Sequence, residues 1–342
     1  MPEDPSMKAI QYQQYGDPSV LELKDDVPVA ELKDKSLRIR VEACEVTKGD
    51  CELRSFRFPV KWFALPLRLY FGFWKPRRQR RILGGYIAGT VDAIGDQVQD
   101  FAVGDRVFGS TGMTLGGYGE FVTLPHSATL VKTPENVSSE QAAACILGGL
   151  NALHFMTLAQ LKPGQRLLIN GAGGSIGLYA LQIAKLKGAH VTCIDAAHKL
   201  PMLSQLGADM VLDYQNNPLD AQHPLWDCVF NMVAGLPMPG FLKHLTESGT
   251  YLSGNPTLAD FRHARRLNHG NQQRAILKLA GETREELQQL ADWLSDGTVQ
   301  PVIDSMVADH DIRQAHERVE TEQRLGAVIL SRQTPLTKTD TD

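Results

Sequence analysis

A glycine-rich turn near the middle of the chain limits the possible folds more than any other feature. It occurs in LLINGAGGSIGLYALQIAKLKGAHVTCID, residues 167–195, after a continuous apolar run and before a helix-forming segment. A strand that is apolar on both faces is typical of a parallel sheet covered by helices. The stretch therefore predicts a strand, a tight turn and a helix, the repeating unit of an α/β domain.

The three glycines of this turn have the spacing that a bound pyrophosphate requires. Gly171 allows a tight turn, Gly174 lets the backbone approach the phosphates, and Gly177 allows the helix to pack closely on the strand. The first N–H groups of the helix and its dipole then face the phosphates. The next strand ends at Asp195, where a carboxylate can accept hydrogen bonds from an adenosine ribose. We predict that the loop binds a dinucleotide; a strand–helix turn without a ligand is the alternative.

The residues around Asp195 leave the choice between NADH and NADPH open. The carboxylate of Asp195 favours NADH slightly, because it repels a 2′-phosphate. His198 and Lys199 follow closely and offer positive charge that offsets this repulsion. Alternatively, Lys199 is a solvated residue in the first turn of the next helix.

Strands and helices alternate along the chain after Pro134. A helix begins at an S-x-x-Q capping box formed by Ser138 and Gln141 and runs to about Leu161. The expected elements that follow are a strand at 166–170, a helix at 175–187, a strand at 190–195, a helix at 199–206, and strands in MVLDY, DCVFNMV and GTYLSG. This alternation predicts a doubly wound parallel sheet.

Residues 8–130 have a different pattern, that of short strands with tight turns. In SLRIRVEA, apolar and polar residues alternate with the period of a half-buried strand. The C-terminal part predicts two amphipathic helices and a final strand. We therefore expect a β-rich domain at 1–132, a dinucleotide-binding domain at 133–282, and a C-terminal segment at 283–342 that returns to the first domain.

Composition excludes several classes of protein. A chain of 342 residues is expected to form two domains. The formal net charge of −4 argues against a nucleic-acid-binding protein, which usually carries a basic face. The five cysteines include no C-x-x-C pair, and the N-terminus MPEDPSMKAI lacks the basic and apolar regions of a signal peptide. Both observations predict a reduced protein in the cytoplasm.

One aromatic stretch, FPVKWFALPLRLYFGFW at residues 58–74, has no place in these patterns. It is shorter than the about 20 residues of a bilayer span and contains two prolines and two basic residues. We favour a long loop whose aromatic residues line or cover an apolar substrate pocket. The alternative is weak peripheral contact of residues 54–81 with an anionic membrane surface, because basic residues flank the stretch: Arg54, Arg57, Lys75, Arg77, Arg78, Arg80 and Arg81.

The order of these parts resembles that of the medium-chain dehydrogenase/reductase superfamily, over nearly the whole chain from about Met7 to Leu330. The resemblance is carried by VEACEVTKGD, ILGGYIAGTVDAIGDQVQDFAVGDRVFG, GGYGEFV, AAACILGGLNAL, the glycine loop with LQIAKLKGA, and DGTVQPVID. It implies a GroES-like β-rich catalytic domain, a Rossmann cofactor domain, a cleft between them and, in many relatives, a homodimer.

The resemblance also bears on zinc. Zinc-dependent members hold their catalytic metal at positions that correspond to Thr47, Gly85 and Gly148, none of which can ligate zinc as a thiolate or imidazole does. The chain thus resembles the zinc-free quinone oxidoreductase branch (zeta-crystallin-like). The expected reaction is hydride transfer from NAD(P)H to a quinone or an activated alkene or carbonyl. The alternatives are a ketone or lipid-enal reductase and a catalytically idle nucleotide-binding adaptor at a membrane surface.

The resemblance finally assigns individual residues. Thr47 stands where its hydroxyl can donate to the acceptor oxygen, and Asp50 lies near the expected floor of the cleft, in a structural or catalytic role. Many relatives have a tyrosine where this chain has Glu52, so a tyrosine proton donor is in doubt. The residues expected to bind the cofactor are Asn151, Gly171, Ala172, Gly174, Ser175, Ile176, Gly177, Asp195, His198, Lys199, Asn231, Val233, Ala234, Gly254 and Asn255.

Overall fold

The computed structural model describes residues 6–60, 64–216, 219, 224–270, 272–279 and 281–332. They divide into two units. The first comprises the described residues up to Phe56, Trp74–Ala144 and those from Ile303 onward; the second comprises the described residues of Arg57–Phe73 and Cys145–Val302. The chain thus passes from one unit to the other after residues 56, 73, 144 and 302. The domain limits at 132 and 282 stay a prediction.

The first unit is built on β-strands. β1 (Ser6–Tyr12) and β2 (Leu21–Pro28) form an antiparallel pair. A second sheet contains β3 (Ser36–Val46), β4 (Tyr86–Ile94), β5 (Arg106–Ser110), β6 (Phe121–Pro125), β7 (Leu130–Lys132), β14 (Ile303–Val307) and β15 (Ala327–Ser331). Its order is β14-β15-β3-β4-β5-β7, with β6 also paired to β3. The long β3 confirms the strand expected in SLRIRVEA, and its apolar residues Leu37, Ile39, Val41 and Ala43 are all buried. The C-terminal strands complete this sheet.

Three helices include residues of this unit. They are α1 (Lys48–Ser55), α9 (Ile312–Glu320) and the start of α3 (Ser139–Ala159). The predicted capping box before α3 is confirmed: the Gln141 N–H donates to Ser138 Oγ at 3.2 Å, and the Ser138 N–H donates to Gln141 Oε1 at 3.0 Å. Among the described helices, α3 alone has the length and apolar composition of a membrane span, but 67% of that span is buried inside the protein, as in the core helix of a soluble protein.

The second unit contains a parallel six-stranded sheet. Its strands are β8 (Arg166–Asn170), β9 (His190–Asp195), β10 (Met210–Asp213), β11 (Trp226–Asn231), β12 (Leu245–Ser253) and β13 (Arg274–Leu277). The order β10-β9-β8-β11-β12-β13 is that of a doubly wound Rossmann sheet, which confirms the predicted fold class. The helices are α2 (Ala64–Phe71), the rest of α3, α4 (Ser175–Leu186), α5 (Leu200–Gln205), α6 (Pro239–Leu242), α7 (Leu258–Gly270) and α8 (Arg284–Ser295).

The aromatic stretch at 58–74 differs from the expected long loop, because it contains the helix α2. Pro66 lies in the first turn of this helix, where a missing backbone N–H costs nothing. Lys61 of this stretch lies outside the described residues. The sequence pattern also missed α1, α7, β13 and β14, which are short or largely polar and therefore lack a clear apolar period.

Candidate cofactor and catalytic sites

The glycine loop joins β8 to α4 and has the conformation that its spacing predicts. Gly171 has a φ of 83°, a left-handed conformation that favours glycine. A Cβ at Gly177 would lie 2.5 Å from the carbonyl oxygen of Ala172, so only glycine allows this helix to approach the loop. A Cβ at Gly174 would have only one neighbour, the Gly171 oxygen at an ordinary 3.5 Å. Gly174 is therefore not required by the packing of the loop, and its bare backbone leaves room for a ligand.

The position of the loop in the sheet supports the same use. β8 pairs in parallel with both β9 and β11, and β9 follows β8 in the chain whereas β11 lies beyond the reversal of strand order. In open α/β sheets, ligands bind outside the carboxyl ends of the strands at such a reversal point. α4 begins at Ser175 after Gly174, which provides no side-chain cap for the first N–H groups of the helix. Of the remaining loop residues expected to bind the cofactor, Ala172 and Ser175 are buried and Ile176 is half-buried.

The Asp195 carboxylate is tied to the glycine loop. Its Oδ2 accepts a hydrogen bond from the Gly173 N–H at 2.7 Å, and its Oδ1 accepts one from the Ala196 N–H at 2.8 Å. Lys199 Nζ lies 3.7 Å from Oδ1 and donates to the Gly173 carbonyl at 3.4 Å. Lys199 is only 4% exposed, so the alternative of a solvated Lys199 is wrong, whereas His198 is exposed. Asp195 and Lys199, which bear on the choice between NADH and NADPH, thus both contact the backbone of the glycine loop.

Asn231 has an internal partner for each end of its amide. It accepts a hydrogen bond from Asn170 Nδ2 at 2.8 Å and donates to Tyr251 Oη at 3.0 Å and to the Val233 carbonyl at 3.3 Å. The side chain is buried. It therefore shapes the turn after β11, and direct contact with the cofactor requires that these bonds be given up. The exposed Val233 has its Cγ2 3.0 Å from where a Gly171 Cβ would lie, so this turn packs on the glycine loop.

The other residues expected at the cofactor lie nearby in the second unit. Ala234 and Gly254 are half-buried, and the exposed Asn255 donates to the Met232 carbonyl at 3.2 Å. Asn151 is half-buried in α3 and donates to the Leu147 carbonyl at 2.9 Å. Three residues earlier in α3, a Cβ at Gly148 would lie 2.5 Å from the Ser175 oxygen, so α3 packs directly on the first turn of α4.

Thr47 and Asp50, the candidate catalytic residues, form a capping box at the start of α1 in the first unit. The Thr47 hydroxyl donates to Asp50 Oδ2 at 2.6 Å and accepts from the Asp50 N–H at 3.1 Å, and the Thr47 N–H also donates to Oδ2 at 2.9 Å. Asp50 Oδ1 accepts from the Gly84 N–H at 2.9 Å. Both side chains are buried. Donation by Thr47 to a substrate oxygen, as expected from the sequence, therefore requires its hydroxyl to turn away from Asp50.

Three residues near this pair were not assigned to the site from the sequence, and one of them, Arg54, was expected beside a membrane surface but is buried. The Tyr118 hydroxyl lies 3.1 Å from His316 Nε2, and Arg54 Nη1 lies 3.2 Å from His316 Nδ1. Burial and the nearby guanidinium of Arg54 lower the pKa of His316 to about 3, so the imidazole is neutral. His316 follows Asp50 by more than 260 positions, and no local pattern marks it.

The positions that correspond to the zinc ligands of relatives are Thr47, Gly85 and Gly148. Gly148 has no room for any side chain, as its contact with Ser175 shows. Cys51 Sγ lies 3.3 Å from His316 Nδ1. This contact could not be inferred from the sequence, because the two residues are far apart in the chain. Within the described ranges, no group of three or more His, Cys, Asp and Glu side chains is arranged to hold a metal ion. None of the five cysteines forms a disulfide, and all five are buried.

Glu52 gives the first unit a titration near neutral pH. Burial raises the pKa of its carboxyl to about 7, with Glu322 adding to the rise and Lys48 opposing it. Between pH 4.5 and 7 the Glu52 carboxyl is therefore protonated in the folded protein but ionised in the unfolded chain. The contribution of Glu52 to stability consequently falls as the pH rises from about 4.5 to about 7.

We expect Glu52→Gln to raise the melting temperature relative to wild type at pH 8 but not at pH 4.5. Thermal unfolding across this range measures it, with exposed Glu135→Gln as control; a difference independent of pH contradicts the assignment.

Comparison with known proteins agrees with this architecture. Residues 33–135 match the model of the alcohol dehydrogenase GroES-like domain, and residues 206–330 match that of the zinc-binding dehydrogenases. A chloroplast envelope quinone oxidoreductase homolog of Arabidopsis thaliana is 30% identical over 87% of this chain and 90% of its own length. The quinone oxidoreductase of Homo sapiens is 28% identical over 92% of this chain and 94% of its own length.

Solved structures extend the similarity to the fold of the whole chain. The quinone oxidoreductase from Coxiella burnetii superposes with a TM-score of 0.84 at 27% identity, covering 96% of this chain and 100% of its own. The two family models match segments on either side of the glycine loop, whereas the relatives and the solved structure span nearly the whole chain. The chain belongs to the quinone oxidoreductase branch of the medium-chain dehydrogenase/reductase family and is an NAD(P)H-dependent oxidoreductase that reduces a small-molecule electron acceptor.

Proposed function

We propose that this protein reduces a quinone or an activated alkene or carbonyl with NAD(P)H, and that it does so without zinc. The observation that carries the proposal is that Thr47, Gly85 and Gly148 stand at the positions where zinc-dependent relatives have their zinc ligands. A thiol cannot be restored at 148 in this fold, because the Ser175 carbonyl occupies the space of a Cβ. Without a Lewis acid, the easy acceptors are those in which charge develops on a conjugated oxygen that hydrogen-bond donors stabilise.

The second unit fits the cofactor. NAD(P)H, when bound, supplies the hydride. The bare backbone at Gly174 and the first N–H groups of α4 bind the pyrophosphate, and Asp195 with Lys199 lies where the adenosine ribose is recognised. Thr47 and Asp50 serve the acceptor, with the Thr47 hydroxyl as the donor once it turns from Asp50. Asn231 holds the turn that carries Val233 and Ala234.

Lys199 decides the cofactor preference in this proposal. Its ammonium partly neutralises Asp195, so Lys199→Met leaves an unopposed carboxylate where a 2′-phosphate binds. At the effective dielectric of a protein surface, this change in charge is worth a factor of about ten or more. We expect the ratio of NADPH to NADH affinity to fall by that factor in fluorescence titrations of the variant against wild type. An unchanged ratio shows that Asp195 and Lys199 do not face the ribose.

The function itself is tested by turnover. The purified protein is mixed with NADH or NADPH and a panel of quinones, enals, enones and simple ketones, with and without a zinc chelator. Fast reduction of quinones or enones that the chelator leaves unchanged supports the proposal. A preference for ketones or for long lipid-derived enals selects the alternative reductase. Cofactor binding without turnover of any acceptor selects the idle adaptor, and loss of activity on chelation overturns zinc independence.

A homodimer is proposed from the sheet of the second unit. Within the described strands, β13 pairs with β12 on one side and has no strand on the other. Such an edge is a template for pairing with a second copy. Sedimentation velocity tests this, with a monomer at micromolar concentration as the contrary result. A cytoplasmic location is also proposed, in keeping with five buried cysteines that form no disulfide.

Of residues 54–81, the segment from Ala64 to Arg81 is proposed to make weak peripheral contact with an anionic membrane, whereas Arg54 is buried and takes no part. Leu65 and Leu69, one turn apart in α2, are 61% and 63% exposed, and Trp74 is 86% exposed. From Ala64 to Arg81 the chain carries six basic residues and no acidic one. Exposed apolar and aromatic side chains beside cations bind the interface of an anionic bilayer.

The membrane contact predicts binding that depends on lipid charge. The protein is expected to sediment with vesicles of phosphatidylglycerol and phosphatidylcholine at low salt, but not with phosphatidylcholine alone. Replacing Lys75, Arg77 and Arg78 with Glu should weaken binding about a hundredfold, since each basic residue contributes about 1 kcal/mol. The matched control replaces the exposed Arg262, Arg265 and Arg266 of α7 with Glu. Equal losses in both triple variants, or no binding by wild type, overturn the proposal.

A further inference from the structure

Three buried polar side chains connect the carboxyl ends of neighbouring strands in the second unit. Asn170 ends β8 and Asn231 ends β11, opposite each other in the register of this parallel pair, and Tyr251 lies two residues before the end of β12. The three residues are at most 6% exposed. Polar groups at this depth need hydrogen-bond partners, so their bonds fix how the strand ends are arranged.

The main chain of Val233 fixes the orientation of the Asn231 amide. The Val233 N–H donates to Asn231 Oδ1 at 3.2 Å, and the Val233 carbonyl accepts from Asn231 Nδ2 at 3.3 Å. An N–H can only donate and a carbonyl can only accept, so the two ends of the amide cannot be exchanged. Oδ1 also accepts from Asn170 Nδ2 at 2.8 Å, and Nδ2 also donates to Tyr251 Oη at 3.0 Å. Asn231 is thereby held from the strands on both sides of β11.

These bonds fasten the turn after β11 to the glycine loop. The Met232 N–H donates to the carbonyl of Asn170, which directly precedes Gly171, at 3.0 Å. Val233 Cγ2 lies 3.0 Å from where a Cβ of Gly171 would be. Val233 is nevertheless 40% exposed. The network thus holds an exposed apolar side chain in a fixed place beside the loop.

The order of the strands indicates which half of a dinucleotide meets this turn. The glycine loop follows β8, and the Asp195 carboxylate, on the β9 side, accepts from the Gly173 N–H. The turn that carries Val233 lies on the other side of β8, after β11. With the pyrophosphate at the glycine loop and the adenosine ribose at Asp195, the nicotinamide half extends towards β11.

We propose that Asn170, Asn231 and Tyr251 are positioning residues that hold the turn after β11 in place for the nicotinamide half of NAD(P)H. In this arrangement Asn231 keeps its internal bonds when the cofactor binds, and Val233 provides the apolar contact. The adenosine half does not depend on this network. The inference rests on the proposed place of the pyrophosphate at the glycine loop, and it adds Asn170 and Tyr251 to the residues on which cofactor binding depends.

Two substitutions remove one bond each from the network. Tyr251→Phe removes the acceptor of a bond from Asn231, and Asn170→Leu removes a donor to Asn231 Oδ1. The turn is then less ordered before the cofactor binds, and ordering it opposes binding by about the contribution of one hydrogen bond. We expect the Kd of NADH and NADPH to rise about tenfold in each variant. The Kd of ADP, which contains only the adenosine half and the phosphates, should not change.

A glutamine elsewhere in the same unit provides the matched control. Gln182 in α4 is also buried and pairs with both main-chain groups of one residue. It accepts from the Gln300 N–H at 2.8 Å and donates to the Gln300 carbonyl at 3.1 Å. Gln182→Met therefore removes a comparable amide that is bonded away from the turn after β11. It should lower the melting temperature without changing the Kd of NAD(P)H or of ADP.

Isothermal titration calorimetry with NADH, NADPH and ADP measures these constants in wild type and in each variant, and thermal unfolding reports their stability. A double variant tests whether the residues act together. Asn170→Leu combined with Asn231→Leu should bind NAD(P)H no more weakly than Asn231→Leu alone, because both changes act through one network.

Either of two results overturns the inference. The first is that Tyr251→Phe and Asn170→Leu raise the Kd of NAD(P)H and of ADP by the same factor, or change neither, which leaves the network a purely structural role. The second is that Asn231→Leu alone weakens NAD(P)H binding, which makes Asn231 itself a ligand of the cofactor. Because every readout is a binding constant or a melting temperature, absence of turnover on every acceptor counts against the proposed function alone.

Discussion

Gly174→Val is expected to abolish measurable NAD(P)H binding while leaving the melting temperature of the protein unchanged. A Cβ at this position meets only the Gly171 oxygen at 3.5 Å, and its φ of −85° and ψ of 165° suit any residue. The fold therefore tolerates the side chain. The side chain fills the space in which the backbone approaches a pyrophosphate, so we expect a loss of at least about a hundredfold in affinity.

The neighbouring glycine provides the contrast. At Gly177 even a Cβ lies 2.5–2.7 Å from backbone atoms of Ala172, which cannot move as a flexible side chain does. Gly177→Ala should lower stability by about 1–3 kcal/mol through overpacking and impair binding indirectly. Gly240→Ala is the control, since nothing lies within 4 Å of its Cβ. Titration calorimetry and thermal unfolding measure both effects. Normal binding by Gly174→Val means that the loop does not hold the pyrophosphate.

Arg54→Met is expected to be the most destabilising single change in the first unit. The Arg54 side chain is 1% exposed and bonds to Gly16, His316 and Glu320. Its removal leaves these groups without their donor. Because the Glu320 side chain is 35% exposed, the ion pair is only partly buried, and the lost hydrogen bonds of Arg54 together cost about 3 kcal/mol. The corresponding fall in melting temperature is on the order of 10 °C.

Lys48→Met on the same helix is the matched control for this prediction. Lys48 Nζ lies 2.7 Å from Glu322, but both side chains are about half-exposed. Such pairs contribute at most about 1 kcal/mol. Calorimetric melting of the two variants compares them directly. Equal shifts in melting temperature mean that the burial of Arg54 adds nothing to its ion pair.

Local sequence patterns were sufficient to predict those parts of the protein that are stabilised by residues close together in the chain. The glycine loop, the Ser138–Gln141 cap and the strands β8 and β9 depend on residues within a few positions of one another, and all of them are confirmed. α2 was missed because prolines and aromatic residues conceal its period. The fold class followed from the alternation of strands and helices, which is itself a sequence pattern.

The sequence by itself thus determined the fold class and the place of the glycine loop. Only the tertiary structure decided which polar groups are buried and which meet. Lys199 was expected in solvent or at a phosphate and lies instead against Asp195 and Gly173. Tyr118 and His316 carry no local signal, yet their side chains meet at 3.1 Å because the C-terminal strands and helix pack into the first unit. Burial and long-range hydrogen bonds depend on packing between distant segments, and no window of sequence contains them.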